Sequence, residues 1–230
     1  MLPPPIIKRH GDFWVVRDDL LEGGTKRRVI QPLVERMDAQ EFVYASPAYG
    51  YAQYALAVAA REAGKRATIF TAKRKQPHRL TLAAHRAGAK VVMVPYGYLS
   101  NVQAKARAYA AKVGAANVPF GVDTPESIAA IADAARLINA DPAEVWTVSG
   151  SGTLSRGLQT AWPQADFHTV LIGTKNPDTG KAKTYRAPEK FEADAKRSPP
   201  WPASPNYDAK AWAFMQRHGA PGALFWNVGA

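Results

Sequence analysis

Apolar and polar positions along the chain alternate between two periods. Short, mostly apolar runs at 13–16, 41–45, 66–71, 90–94, 145–148, 169–173 and 223–226 have the pattern of strands buried on both faces. Between them lie stretches with helical spacing at about 24–37, 50–64, 77–87, 100–113, 125–139, after 153, 187–196 and 207–218. Gly88 and Pro95 stop two of these elements, and Asp123-Thr124-Pro125-Glu126 opens a helix with a cap residue and a proline in the first turn. Strand and helix alternate throughout, which predicts an α/β chain with mostly parallel sheets covered on both faces. The proline-rich stretch 197–205 reads as a rigid extended loop, too short to link domains.

Composition narrows the chemistry. The 230 residues contain no cysteine, which removes disulfides, thiolate metal sites and cysteine nucleophiles together. Histidines at 10, 78, 85, 168 and 218 show no ligand spacing, so no metal is expected; His78 and His85 read as one helix face. No apolar run reaches the ~20 residues of a membrane span, and the start Met1-Leu2-Pro3-Pro4-Pro5 lacks a signal-peptide core, so the expectation is a cytoplasmic protein with no membrane partner. Thirty Lys and Arg against nineteen Asp and Glu give a formal charge of +11, a balance that favours a polyanionic partner or substrate such as DNA. The basic residues concentrate at 26–28, 61–90 and 181–197, without the interleaved aromatics of a nucleic-acid-binding stripe.

Three stretches carry candidate chemistry. The first runs Arg17-Asp18-Asp19-Leu20 to Gly23-Gly24-Thr25-Lys26-Arg27-Arg28, where a strand passes through a glycine turn into a helix with Lys26 in its first turn. Two following arginines and the electropositive helix start disfavour the ammonium form, which suits an amine that attacks a carbonyl; a solvated basic helix start is the alternative. In the second, Ser149-Gly150-Ser151-Gly152-Thr153, a strand leads into a helix whose backbone amides can converge on a phosphate, with the Ser151 and Thr153 hydroxyls as added donors. An ordinary tight turn has the same residues. The third is Ser46-Pro47-Ala48-Tyr49-Gly50-Tyr51-Ala52-Gln53-Tyr54, a glycine turn that can present hydroxyls to a ligand at the carboxyl end of a sheet, with Tyr54 read as helix packing.

In this order the stretches resemble the tryptophan-synthase-β-like, or fold type II, family of pyridoxal 5′-phosphate enzymes, shortened. The motif around Lys26 looks like the lysine motif of its aminocyclopropane-carboxylate deaminase and D-cysteine desulfhydrase branch. The resemblance implies two three-layer α/β/α domains: residues 1–45 with 141–230 as the large cofactor domain, and 46–140 as a small inserted one. It implies pyridoxal phosphate as cofactor, with Lys26 as its Schiff-base residue and proton carrier. By the same resemblance Ser149, Gly150, Ser151, Gly152 and Thr153 hold the phosphate, and Ser46, Gly50 and Gln53 contact the substrate. Tyr49 and Tyr51 become candidate catalytic groups, and homodimers are usual in the family.

Two positions depart from the family pattern. Tyr51 stands where an asparagine meets the cofactor's ring hydroxyl, and Asn227 where a Ser or Thr meets the ring nitrogen, which Asn227 would approach through an amide N–H. The implied activity is that of a lyase, decarboxylase or deaminase acting at the α-carbon of an amino acid. Some enzymes of this cofactor class trim an aminoacyl group on a modified pyrimidine of viral DNA, and the charge of +11 is compatible with such a carrier. The alternatives are a catalytically degenerate protein that binds nucleic acid through its basic face, and phosphoribosyl transfer. The latter lacks its paired acidic residues, since 145–148 reads Val-Trp-Thr-Val.

Overall fold

The computed structural model describes residues 2–95 and 97–230. In chain order its elements are β1 (Ile7–His10), β2 (Phe13–Arg17), α1 (Gly24–Arg36), β3 (Glu41–Ser46), α2 (Ala52–Glu62), β4 (Arg66–Ala72), α3 (Arg79–Arg86), β5 (Lys90–Val94), α4 (Leu99–Val113), β6 (Ala116–Asn117), α5 (Pro125–Arg136), β7 (Glu144–Ser149), α6 (Thr153–Ala161), β8 (Asp166–Leu171), β9 (Lys183–Arg186), α7 (Trp212–His218) and β10 (Leu224–Asn227). Among the described residues no helix is long and apolar enough to cross a membrane.

The chain forms two compact units, one of Met1–Thr25 with Asp123–Ala230 and the other of Lys26–Val122. The boundary falls inside the first turn of α1. The discontinuous unit has a sheet of order β1-β2-β10-β7-β8-β9, parallel except for the outer hairpin of β1 and β2. Its last strand in sequence, β10, therefore lies in the sheet's interior. Val15, Trp146, Val148, Val170 and Phe225 on one face pack with Trp201 and Met215. Helices α5 and α6 pack together within this unit, and α6 also meets β7 and β8.

The continuous unit has an all-parallel sheet of order β5-β4-β3-β6. Side chains alternate across a strand, so Val43 and Ala45 share a face, which with Phe70 and Val94 packs against Val102, Ala106 and Ala110 of α4. Helix α2 packs on the same central strands, β3 and β4, and its run of buried small residues from Ala55 to Ala60 permits close approach.

Several expectations are corrected. The unit boundaries expected at 46 and 140 shift because β3 pairs with β4 and β6, not with the larger sheet, so α1 from Lys26 and all of β3 belong to the inserted unit. Residues 187–196 form no helix, since Pro188 follows a strand and Phe191 is the stretch's only large apolar side chain to bury. Strands β1, β6 and β9 are additional, all short, partly exposed and on sheet edges. His78 is the N-cap of α3, its Nδ1 accepting from the Leu80 amide, so His78 and His85 do not form one helix face.

Gly157 fixes how closely α5 and α6 pack. A Cβ there would lie 2.6 Å from Cγ2 of Ile131 and 3.0 Å from the Ile128 carbonyl oxygen. Gly157→Leu is therefore expected to cost about 1–3 kcal/mol through overpacking, more than the ~1 kcal/mol it gains in helix propensity. Urea unfolding measures this, and Gly157→Leu combined with Ile131→Ala should cost less than the two changes summed.

Candidate functional site

In the discontinuous unit, the site begins with the buried carboxylates of Asp18 and Asp19, which follow β2. Asp18 Oδ2 accepts from Thr25 Oγ1 at 2.8 Å and from Trp226 Nε1 at 3.2 Å. Arg17 donates twice to Asp19, from Nε and Nη2, both at 2.7 Å, with the two side chains 7% and 2% exposed. The backbone amide of Thr25 donates to the Val228 carbonyl at 3.0 Å. The first turn of α1 is thus held from both ends of the sequence, and Lys26 is the next residue.

Asn227, at the carboxyl end of β10, has a fully buried side chain. Its Nδ2 donates to Asp19 Oδ1 at 2.7 Å and to the Pro202 carbonyl at 2.8 Å. Both partners only accept, which fixes the orientation of the amide. This corrects the expectation that Asn227 offers an N–H to a ring nitrogen: its two amide hydrogens are used, and the buried atom lacking a partner is Oδ1.

On the neighbouring strand β7, Ser149 leads into the turn before α6. Ser149 Oγ accepts from the Gly152 amide at 2.7 Å, closing the turn. Thr153 Oγ1 donates to Asp123 Oδ1 at 2.8 Å and lies 2.9 Å from Ser151 Oγ, which must then be the donor of that pair. Arg156 also pairs with Asp123. The Ser151 and Thr153 hydroxyl protons, expected as outward donors, are directed into this network. Gly150 forms a backbone hydrogen bond with Tyr207, whose phenol is pushed up by burial and by the Asp208 charge. Anion recognition here falls to the amides of the first turn of α6, a helix that no side chain caps. Gly152 has φ +84°, and a Cβ on it would lie 1.7 Å from the Asp178 carbonyl oxygen, so no other residue fits this turn.

In the continuous unit, Lys26 is half-buried and its Nζ donates to the Gly121 carbonyl at 2.6 Å. Gly121 has φ +78° and forms a backbone hydrogen bond with Tyr44, whose phenol burial pushes up to about 12. Neither Gly121 as the lysine's acceptor nor Tyr44 behind it was legible from motif spacing, because both contacts are long-range.

The 46–53 turn is held tightly. A Cβ on Gly50 would lie 2.9 Å from Ser46 Oγ, so glycine is needed there. The sequence reading places Ser46 and Gln53 among substrate contacts, but both are buried. Ser46 Oγ donates to the Pro47 carbonyl at 2.9 Å. Gln53 Nε2 donates to the carbonyls of Ala48 and Gly50, and its Oε1 accepts from Thr81, which makes it the clamp of the turn. Tyr51 is half-buried at the N-cap of α2, edge-on to Tyr54 with ring centroids 6.0 Å apart. Tyr49 packs on His78 at 4.4 Å between centroids, with the Arg74 guanidinium 5.2 Å over its ring. Burial and the Arg79 and Arg74 charges lower the His78 pKa, so the ring is neutral. Arg74 and His78 join the candidate group without any motif to announce them.

Asp208, in the turn before α7, is 1% exposed, with Oδ2 accepting from the Gly229 amide at 3.2 Å. Burial pushes its carboxyl well above the usual range; the Val228 and Gly229 amides oppose this, and the Asp19 and Asp18 charges add to it. An acid with a raised folded-state pKa contributes stability that is complete below its unfolded value and lost as pH rises through the folded one. The thermal midpoint of the wild type should therefore decline toward alkaline pH more steeply than that of Asp208→Asn, which keeps the shape and stays neutral. Parallel midpoint-against-pH curves would contradict this.

No protein-family model matches the chain, and no curated protein is similar to it in sequence. Solved structures are. The crystal structure of an ACC deaminase homologue superposes with a TM-score of 0.82 at 13% identity, covering 94% of this chain and 84% of that one. A bacterial-type threonine deaminase, from T.th., gives a TM-score of 0.74 at 16% identity over 98% of this chain and 91% of that one. Threonine deaminase isoform 2 from Solanum lycopersicum gives 0.71 at 16% identity, with 95% and 74% covered. At these identities the likeness is one of architecture, and the chain has the α/β fold of the fold type II pyridoxal-phosphate enzymes.

Proposed function

We propose that this protein is a pyridoxal-phosphate-dependent enzyme acting at the α-carbon of an amino-acid or aminoacyl substrate, of lyase, decarboxylase or deaminase type. The observation that carries the reading is Lys26, half-buried in the first turn of α1, with its amine held on the Gly121 carbonyl and its preceding residue locked by Asp18, Trp226 and Val228. An amine so positioned suits a covalent attachment point better than a solvated surface cation does. The discontinuous unit fits the cofactor's other pole, with an uncapped helix start at Gly152-Thr153 for a phosphate and a buried acceptor, Asn227 Oδ1, lacking a partner.

When bound, pyridoxal phosphate supplies an electron sink for bonds at the α-carbon of an amine. In this reading Lys26 holds the cofactor through its ε-amine and afterwards moves a proton at the substrate's α-carbon. The first-turn amides of α6 bind the phosphate, and the 46–53 turn presents Tyr49 and Tyr51 to the substrate. Gln53 and Gly50 set the geometry of that turn.

A finer reading, that the substrate amino acid is carried on DNA, is favoured by one observation. The formal charge is +11, and Lys73, Arg74, Lys75 and Arg79 form an exposed basic stretch after the carboxyl end of β4, with Arg74 on Tyr49. Duplex binding would then weaken steeply between ~50 and ~200 mM salt, and replacing Lys73, Arg74 and Lys75 by alanine should flatten that dependence. Equal retention with and without DNA at low salt would remove this reading and leave a free amino acid.

The enzyme reading itself has a spectroscopic test. Protein reconstituted with pyridoxal phosphate should be yellow, with a visible band that borohydride abolishes, leaving a cofactor-sized mass adduct on the Lys26 peptide. Lys26→Ala should lose the band and at least roughly a hundredfold of activity. A colourless protein that ignores added cofactor would refute the proposal in favour of a non-catalytic binding protein.

A further inference from the structure

Asn227 stands at the carboxyl end of β10, and β10 pairs in parallel with β7, whose own end continues into the Ser149–Thr153 turn. An acceptor and an anion-receptive helix start therefore terminate adjacent strands. Strands in a sheet are about 4.8 Å apart, a step comparable to the width of a pyridine ring. A ring whose phosphate arm rests on the first turn of α6 reaches the end of the next strand with its far edge.

The polarity of that strand end is fixed by the protein. Asn227 Nδ2 is bound by the Asp19 carboxylate and the Pro202 carbonyl, and turning the amide over would set its oxygen against two oxygens. Arg17 holds Asp19 in place through two hydrogen bonds, so the carboxylate cannot swing away. The group left to meet a ligand is Oδ1, with the residue 0% exposed and that atom lacking a partner. A lone pair on an unprotonated ring nitrogen would face the lone pairs of this oxygen, whereas a protonated nitrogen would donate to it. Hydrogen bonding of the amide to Asp19 also polarises it, which makes Oδ1 a better acceptor.

Resting on the reading of the chain as a pyridoxal-phosphate enzyme, we infer that Asn227 Oδ1 accepts a hydrogen bond from the cofactor's ring nitrogen and so selects its protonated, pyridinium form. Asn227 is then a cofactor-positioning residue of inverted polarity, an acceptor where its amide N–H was expected to donate. A pyridinium ring is the stronger electron sink, which suits reactions that build up charge at the α-carbon.

The test is the nitrogen-15 signal of full-length protein reconstituted with ring-labelled pyridoxal phosphate. The expected result is a pyridinium shift that persists through neutral pH, and an Asn227→Ser protein that remains yellow should move to the free-pyridine shift. A yellow wild-type protein with a free-pyridine shift overturns the inference while leaving the enzyme reading intact. A yellow Asn227→Ser protein that keeps the pyridinium signal also overturns it, by removing Asn227 as the partner. Failure of the wild type to bind cofactor overturns both. Should Asn227→Ser fail to fold, the wild-type signal alone decides.

Discussion

The candidate site in the discontinuous unit depends on burying two adjacent carboxylates, Asp18 and Asp19, at the end of β2. Taking such charges out of water costs several kcal/mol each unless every lone pair is met, and here neighbours from distant parts of the chain meet them. Asp18 receives Thr25 and Trp226, while Asp19 receives Arg17 and Asn227. Trp226 Nε1 also donates to Thr25 Oγ1 at 2.9 Å, closing a small network around the first turn of α1. The start of that helix, the end of β2 and the end of β10 are held as one piece, and losing any one partner leaves a buried charge unbalanced.

That network explains why the Arg17-Asp18-Asp19 stretch belongs with the lysine that follows it. Neither carboxylate needs to touch a ligand; their work is to fix Thr25 and Asn227, the residues next to the amine and at the end of the interior strand. The motif was legible from the sequence, but its role was not, since the partners at 226 and 227 lie 208 positions away from Asp18 and Asp19. The same limit applies to Gly121, which meets Lys26 from 95 positions away. Local pattern revealed every strand in the interior of either sheet and the helices that cover them. It missed the short edge strands β1, β6 and β9, which carry little apolar signal, and misplaced the unit boundary because pairing of β3 with β4 is not encoded in either strand alone.

Charge reading was similarly partial. The +11 balance was plain, but composition alone did not show that Arg74 would lie on Tyr49 or that His78 would cap α3 as a neutral ring. Gln53 shows the opposite error. A polar residue in a candidate ligand turn invited a functional role, yet all of its hydrogen-bonding capacity that the structure shows goes to Ala48, Gly50 and Thr81, and it is completely buried. In a tight glycine turn the polar side chain that organises the backbone and the one that meets a ligand have the same composition; only burial separates them.

The turn at Ser149–Thr153 shows how a binding geometry can persist while sequence drifts to 12–16% identity. Its hydroxyls are directed toward Asp123 and back across the turn, so the groups available to an anion are main-chain amides. Amides are supplied by any residue, and what the site demands is backbone shape: a positive φ at Gly152 and space there for nothing larger than a hydrogen against the Asp178 carbonyl. Selection on such a site acts on one or two glycines and leaves the surrounding side chains to vary. Asn227 has no such latitude, because its acceptor atom is defined by the partners of its other end, and exchanging it for a hydroxyl would change the polarity presented as well as the shape. Chemistry in this protein is therefore most sensitive to sequence at the end of β10, where side chains set the polarity, and least sensitive at the start of α6, where the backbone does the binding.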